Sequence, residues 1–421
     1  MPDSRGKTSA DVPVEMSTDV LVVGAGPAGA SAAAWAARAG RDVLIADAQQ
    51  FPRDKTCGDG LTPRAVAELD RLGLGDWVRT HTTSRGLRLI GFGHDHALDW
   101  PGGSFPAIGS AVARTELDDR LRRAALDSGA TPLDAARAVD VERAGDRIVA
   151  VLFETVRGPV RVAARRVVVA DGVRSPLGRV LGRTWHRDTV YGVAVRAYVA
   201  TPRSEDPWIT SHLELRGRDG ALTAGYGWIF PLGGGLVNIG VGSLATAKRP
   251  APGALRPLLD TYVNARRDEW GFDAAPHGVA SALLPMGGAV SGVAGANWAL
   301  VGDAAGCVNP LNGEGIDYGL EGGRLLADVL DEPDLTSVWP AILRARYGRA
   351  FSIARRVAGL ATRPALLRAA GPTAMASRAA MGAAVRMMGN LVADDDTDAI
   401  ARLWRTAGRA SQRADRRPPF S

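Results

Sequence analysis

Three glycines and an acid set the first chemistry that the sequence can do. Gly24-Ala25-Gly26-Pro27-Ala28-Gly29 lies between an apolar run, Asp19–Val23, and an Ala-rich stretch, and Asp47 closes the next apolar run. In a strand–turn–helix unit each glycine has its own role. Gly24 permits the tight turn, Gly26 lets a pyrophosphate approach closely, and Gly29 allows close helix–strand packing. The helix start then offers free N–H groups and a positive dipole end to that pyrophosphate. Asp47 is placed to accept from ribose hydroxyls, and an acid there disfavours a 2′-phosphate. Two later turns lengthen the ligand. Ala170-Asp171-Gly172 ends one apolar run; Gly302-Asp303 ends another, followed by Asn309-Pro-Leu-Asn-Gly313-Glu-Gly315 and a helical stretch that takes in Ile316. A carboxylate at Asp303 suits ribityl hydroxyls, and a helix start after Gly313 suits the flavin edge where negative charge gathers on reduction. Turns in this order indicate FAD rather than a nicotinamide.

A second group is aromatic and sulfur-bearing. Tyr226, Trp228 and Phe230 alternate and precede Pro231, so on a strand the three rings share one face. Such a face is either ordinary core, the commoner outcome, or the wall of a pocket for a flat or greasy ligand. Met375, Met381, Met387 and Met388 near the C-terminal end are adaptable side chains that suit core packing or an irregular apolar ligand. The two cysteines, Cys57 and Cys307, lie far apart, which is no disulfide framework and fits a reducing compartment. His94 and His96 could share a strand face, but no third ligand at zinc-like spacing follows, so no metal is expected.

Positioning these residues takes an α/β chain of several units. With 421 residues, 46% hydrophobic and 23% charged, the composition is that of a globular protein, not of a disordered or fibrous one. The expected architecture is an FAD-binding Rossmann-like domain (18–80, 106–185 and 280–335), interleaved with a mainly β substrate domain (81–105 and 186–279). Residues 1–17 read as a flexible tail, and 336–421 as a C-terminal helical region. The net charge of +6 is uneven: from Thr336 onward fifteen Arg face five Asp. A basic end on a mildly acidic body fits either an anionic lipid surface or a solvated helical face. No zinc-finger or RNP-type motif accompanies the arginines, so nucleic acid is not an expected partner. Val20–Ala37 is uncharged over 18 residues, but its central Gly24, Gly26 and Pro27 favour strand, turn and helix over a membrane span. Neither a transmembrane helix nor a signal peptide is expected.

Three blocks bring a family into view. Lys55-Thr-Cys57-Gly58-Asp59-Gly60 resembles the Cys-Gly-[Asp/Glu]-Gly flavin loop of the geranylgeranyl reductase family of flavoproteins, within the wider group built like para-hydroxybenzoate hydroxylase. Tyr226-Gly-Trp228-Ile-Phe230-Pro231 with Asn238-Ile-Gly240 resembles its Tyr-x-Trp-x-Phe-Pro…Asn-[Val/Ile]-Gly block. Gly302-Asp-Ala-Ala-Gly306 with Asn309–Gly315 resembles its Gly-Asp helix region. The likeness runs from about Asp19 to Leu330. Two positions depart from the pattern: Arg179 stands one place late, and Leu232 replaces a family lysine.

The resemblance implies an FAD-dependent oxidoreductase that saturates an isoprene double bond in a polyprenyl lipid such as menaquinone. It implies Arg114 as a flavin-contacting residue, Cys57–Gly60 lining the isoalloxazine, and Val139 meeting the adenine through its backbone. Tyr226, Trp228, Phe230 and Pro231 would meet the substrate, with Cys57 and Tyr226 as candidate catalytic groups. Because such a lipid is insoluble in water, the expected location is cytoplasmic, at the inner face of the cell membrane. No second complete glycine turn is present, so the electron donor stays open among a nicotinamide, a deazaflavin and a protein carrier. The aromatic block also has some likeness to the halogenase Trp-x-Trp-x-Ile-Pro motif, which keeps an FAD monooxygenase or halogenase as the alternative. A flavin-binding membrane scaffold is the non-enzymatic option.

Overall fold

Apolar runs without alternation make strands that are covered on both faces, the pattern of a parallel sheet. The computed structural model describes residues 13–251, 254–393 and 395–421. In it Val14–Val23 is the central strand of such a sheet, parallel to Val43–Ala46 on one side and Gly158–Val169 on the other. Thr131–Leu133 and Trp298–Leu300 extend it, and the hairpin of Ala136–Ala144 and Arg147–Thr155 joins it antiparallel. Residues 1–12 of the expected tail lie outside the described residues. Val14–Ser17 are not tail: they pair with Val160–Ala163, because alternating Val and Met extend the strand before its fully apolar part.

The glycine turn leads into the helix Pro27–Arg38, which packs against the helix Ile316–Ala327. Ser31 donates to the Leu320 carbonyl at 2.7 Å, and a Cβ at Gly323 would lie 2.5 Å from the Ala28 carbonyl oxygen. Close contact of these two helices brings the two glycine-rich turns that precede them, which are far apart in the chain, near each other.

A second sheet has seven strands in the order His277–Leu284, Tyr191–Ala200, Leu236–Ala245, Gly225–Gly233, Trp208–His212, Gly86–Gly91 and His94–Asp99. It is antiparallel except between Trp208–His212 and Gly86–Gly91. His277–Leu284 belongs to this sheet, so the sheet runs past the boundary expected at 279; the Gly and Ala content of that segment hides its pairing. Helix Arg256–Trp270 covers one face: Ile229 shares its core, and a Cβ at Gly227 would touch Tyr262. The odd-numbered residues of this strand are therefore core. By the two-residue repeat, Tyr226, Trp228 and Phe230 turn the other way.

From Leu335 onward the regular elements among the described residues are helices. Met375, Met381 and Val385 pack on Leu89, Leu98 and Ile209 of the second sheet, and His96 Nε2 lies 2.6 Å from the Met375 carbonyl oxygen. The end of the chain returns to the body, where Phe420 N–H donates to the Gly288 carbonyl at 2.9 Å. Of the acidic turn near residue 395, Asp394 lies outside the described residues. Asp396 and Asp398 both pair with Arg386 at 2.7 Å, and Asp398 caps the last helix. No described helix is long and apolar enough to cross a membrane.

Candidate functional site

A cavity of about 890 Å³ runs from the glycine turn, past the Cys57 loop and the three aromatic rings, to the C-terminal helices. At its first end Gly24, Gly26, Pro27 and Ala28 line the wall. A methyl placed on Gly26 would lie 3.5 Å from Arg53 Nη2 and 4.0 Å from Arg114 Nη2, so two guanidinium groups converge on the turn. Asp118, fully buried, holds both: it accepts from Arg114 Nε at 2.6 Å and Nη2 at 2.7 Å, and from Arg53 Nη1 at 2.9 Å. Arg53 Nη2 also lies 3.3 Å from Asp47 Oδ2, so two carboxylates orient the two guanidinium groups beside a helix N-terminus, an array of N–H donors that fits a pyrophosphate. Arg53 carries no motif of its own, and only its place six residues after Asp47 could have signalled it.

Asp47 accepts from Ala25 N–H at 2.8 Å and Gln49 N–H at 2.9 Å, bracing the turn while bordering the cavity. Ala25 and Gly29 are packing residues of this turn and do not line the cavity. Beyond Asp47 the wall is formed by Ala136, Arg137 and Ala138. Val139, the expected adenine contact, is not part of it; it is a half-exposed residue of the hairpin. Asp171 borders the cavity, but its carboxylate accepts from Ser175 Oγ and Leu177 N–H, so its side chain is committed to the following turn.

At the middle of the cavity Asp303 sits beside Gly315, at the start of helix Ile316–Ala327. Burial pushes its carboxyl up, yet Lys55, 2.9 Å away, together with Arg114 and Arg183, outweighs this and holds it below the usual range. It is thus an anion able to accept from hydroxyls. Gly302, Gly313, Gly315 and Ile316 line the same stretch.

The loop that carries Cys57 lies flat on the aromatic rings. A Cβ at Gly58 would come 2.9 Å from the Phe230 ring, and one at Gly60 would come 3.0 Å from it. Asp59 is wholly buried behind the loop with φ +65°, and its Oδ2 accepts from Tyr198 OH and Asn238 Nδ2, both at 2.8 Å. Burial raises its carboxyl to about 6. Asn238 also donates to the Cys57 carbonyl and accepts from Trp228 Nε1, both at 2.9 Å. One buried amide thus ties loop to ring. Burial pushes the Cys57 thiol up despite the Arg114 guanidinium beside it, so it stays protonated.

Tyr226, Trp228 and Phe230 border the cavity, with ring centroids 5.9 and 6.1 Å apart in succession, and Pro231 does not. The shared face is therefore a pocket wall and not core. Above it the lining turns apolar, with Leu367, Met375, Met381, Val385 and Met388 from the C-terminal helices. Among the described residues no group of three or more His, Cys, Asp or Glu could hold a metal ion.

Residues 17–224 match the family described as FAD binding domain. Menaquinone reductase of Mycobacterium tuberculosis (strain ATCC 25618 / H37Rv) is 64% identical over 408 residues, which is 97% of this chain and 100% of the relative. Digeranylgeranylglycerophospholipid reductase 1 of Methanopyrus kandleri is 31% identical over 319 residues, 75% of this chain and 81% of the relative. Among solved structures, a geranylgeranyl bacteriochlorophyll reductase-like protein of Thermoplasma acidophilum superposes with a TM-score of 0.73 at 20% identity, covering 93% of this chain and 100% of that one. By these matches this chain belongs to the geranylgeranyl reductase family of FAD-dependent oxidoreductases.

Proposed function

We propose that the protein reduces one isoprene double bond in the polyprenyl tail of menaquinone. The observation that carries this reading is the continuity of the cavity: polar at the glycine turn, aromatic in the middle, and apolar under the C-terminal helices. The name of the 64% identical relative supports the choice of lipid.

Arg53 and Arg114 would hold the pyrophosphate, Asp47 the ribose, and Asp303 the ribityl chain. When bound and reduced, the flavin supplies hydride. An isolated trisubstituted alkene is not electrophilic, so a proton must reach one carbon as hydride reaches the other. Trp228 and Phe230 form a wall without ionisable groups, and the methionines can follow an irregular tail. Such a wall keeps water from the cationic carbon.

The deciding experiment is anaerobic. The FAD-loaded protein is reduced, menaquinone is added in lipid micelles, the headgroup is reoxidised, and the quinone is weighed by mass spectrometry. A gain of one H2, placed in the tail by fragmentation, is expected. Flavin reoxidation with an unchanged tail would sink the reading.

The same reading assigns the cavity rim to a lipid surface. Val357 lines the cavity and is 45% exposed, so the cavity meets solvent there. Leu360 and Leu366 lie exposed nearby, and the next helix, Pro364–Met375, is exposed along most of its length and carries few polar residues. Arg363, Arg368 and Arg378 around it are exposed too. An apolar face bordered by arginines suits the surface of an anionic bilayer. Leu366→Asp is expected to weaken sedimentation with phosphatidylglycerol vesicles about tenfold or more, given ~1.5–3 kcal/mol for burying a leucine. Binding equal to the parent protein would remove this face from the proposal.

A further inference from the structure

Protonating an alkene requires an acid at the cavity wall, and the two groups singled out by the sequence are poorly suited to it. Tyr226 OH gives its hydrogen to the Asn312 carbonyl at 2.5 Å, and burial raises the phenol further. The Cys57 thiol is raised by burial as well. A third group lines the same cavity. Glu314 lines the cavity in the turn just before helix Ile316–Ala327, and Tyr226 OH lies over the neighbouring Gly313, 3.8 Å from where its Cβ would be.

The Glu314 carboxyl is held from two sides. Thr62 Oγ1 donates to its Oε1, and Asn312 Nδ2 lies 3.3 Å from its Oε2. The backbone is fixed too: Glu314 N–H donates to Asn312 Oδ1 at 3.0 Å, and its carbonyl accepts from Asn309 N–H at 2.8 Å. The charged and titratable groups around it are Arg64 at the start of helix Pro63–Arg71, Asp317 and Tyr318 in the first turn of the helix that follows it, and Tyr226. Arg64 is engaged elsewhere, with Glu321 and with Asp317. Two buried carboxyls, Glu314 and Asp317, thus share one guanidinium that is already paired with Glu321, an arrangement that favours a proton on the pair.

We infer that Glu314 is the proton donor to the alkene, delivering the hydrogen of its Oε2 from the wall of the cavity. This rests on the reductase reading above. The π pair of the alkene takes the Glu314 proton and forms a C–H bond at the less substituted carbon, leaving a tertiary cation. A bound reduced flavin would supply the hydride for the second C–H bond, so that the alkene gains two electrons and the flavin loses two. Glu314 is left as a carboxylate and regains a proton from water before the next turnover. Burial raises the Glu314 carboxyl to about 7, so the acid form is available at neutral pH.

Glu314→Gln keeps the size and the hydrogen-bonding capacity of the side chain but removes the acid. It is expected to bind FAD and undergo anaerobic reduction like the parent protein, while tail saturation falls about 10²–10⁴-fold. Glu314→Asp should restore part of the rate. The parent rate should fall as pH rises through the neutral region, because the acid form is lost, and that limb should vanish in Glu314→Gln. Infrared difference spectra of the oxidised protein supply a readout independent of turnover: a protonated carboxyl band that titrates in the same range should be missing from the variant. Saturation by Glu314→Gln at the parent rate, or an unchanged carboxyl band, overturns the assignment. If the parent protein itself leaves the tail unchanged, the reductase reading falls, and the assignment with it.

Discussion

Gly29→Ala is expected to yield protein that carries no FAD. The added methyl would lie 1.8 Å from the carbonyl oxygen of Gly24, and neither partner is a side chain that can swing aside. Helix Pro27–Arg38 would have to move away from the strand Val14–Val23, whose end is fixed by pairing on both sides. Overpacking commonly costs ~1–3 kcal/mol, and a backbone clash stands at the upper end or beyond. At ~3 kcal/mol the cofactor would bind more than about a hundredfold more weakly. The helix start would also leave the place where Arg53 and Arg114 converge. Visible absorption of the purified protein and titration with added FAD measure this directly. Gly40→Ala is the control: its φ is +80°, but nothing lies within 4 Å of the new methyl, so it should cost ~1–2 kcal/mol of stability and keep its flavin. Full flavin loading of Gly29→Ala would show that the turn does not set the binding geometry.

Why this turn is legible in the sequence, and other parts of the site are not, follows from how far apart the interacting residues lie. Gly24, Gly26, Gly29 and Asp47 constrain one another within some two dozen residues, so their types and spacing carry the information. The aromatic rings are legible only by half. Alternation puts Tyr226, Trp228 and Phe230 on one face, but whether that face is core or cavity depends on helix Arg256–Trp270 filling the opposite side. Asp171 looks like a ligand residue because an Asp-Gly turn ends a strand there. Its oxygens are nevertheless taken by Ser175 and Leu177, a local arrangement that no spacing rule separates from a binding role. Glu314 sits inside a stretch whose glycines attract attention, and its partner Thr62 is 252 residues away. Pairings of that span leave no local trace.

Asn238, on the other side of the cavity, is hidden for the same reason. The block that contains it is visible in the sequence. That one amide joins the Cys57 carbonyl, the Asp59 carboxylate and the Trp228 indole becomes apparent only when the second sheet is placed against the loop. The amide couples the loop to the aromatic wall, so the position of Cys57 depends on a residue of a strand 181 residues away.

Arg64→Met should destabilise the protein strongly. The Arg64 side chain is 5% exposed, and the carboxyl groups it meets, those of Asp317 and Glu321, are 0% and 2% exposed. Its Nη2 donates to Glu321 Oε2, its Nε lies 3.2 Å from Asp317 Oδ2, and its guanidinium stands 5.2 Å from the centre of the Tyr318 ring. Together these tie helix Pro63–Arg71, which follows the Cys57 loop, to the helix that begins behind Glu314. Removing one partner of a buried pair costs ~3–5 kcal/mol, because the charge left behind is not solvated. Arg346 and Tyr347 still reach Glu321, at 2.7 and 2.9 Å, which places the expected loss toward the lower figure. Denaturant unfolding of FAD-loaded protein measures it, and pH gives a second handle. Burial pushes the Glu321 carboxyl up, but Arg64 and Arg346 outweigh it and hold it at about 2, below its usual 4.5. A carboxyl lowered by folding stabilises the protein above its unfolded value and ceases to do so as pH falls through the folded one. The gap between parent and Arg64→Met should therefore be widest above pH ~4.5 and narrow toward pH ~2. A gap that stays constant over that range would mean that the guanidinium acts by packing against Tyr318 and not by charge.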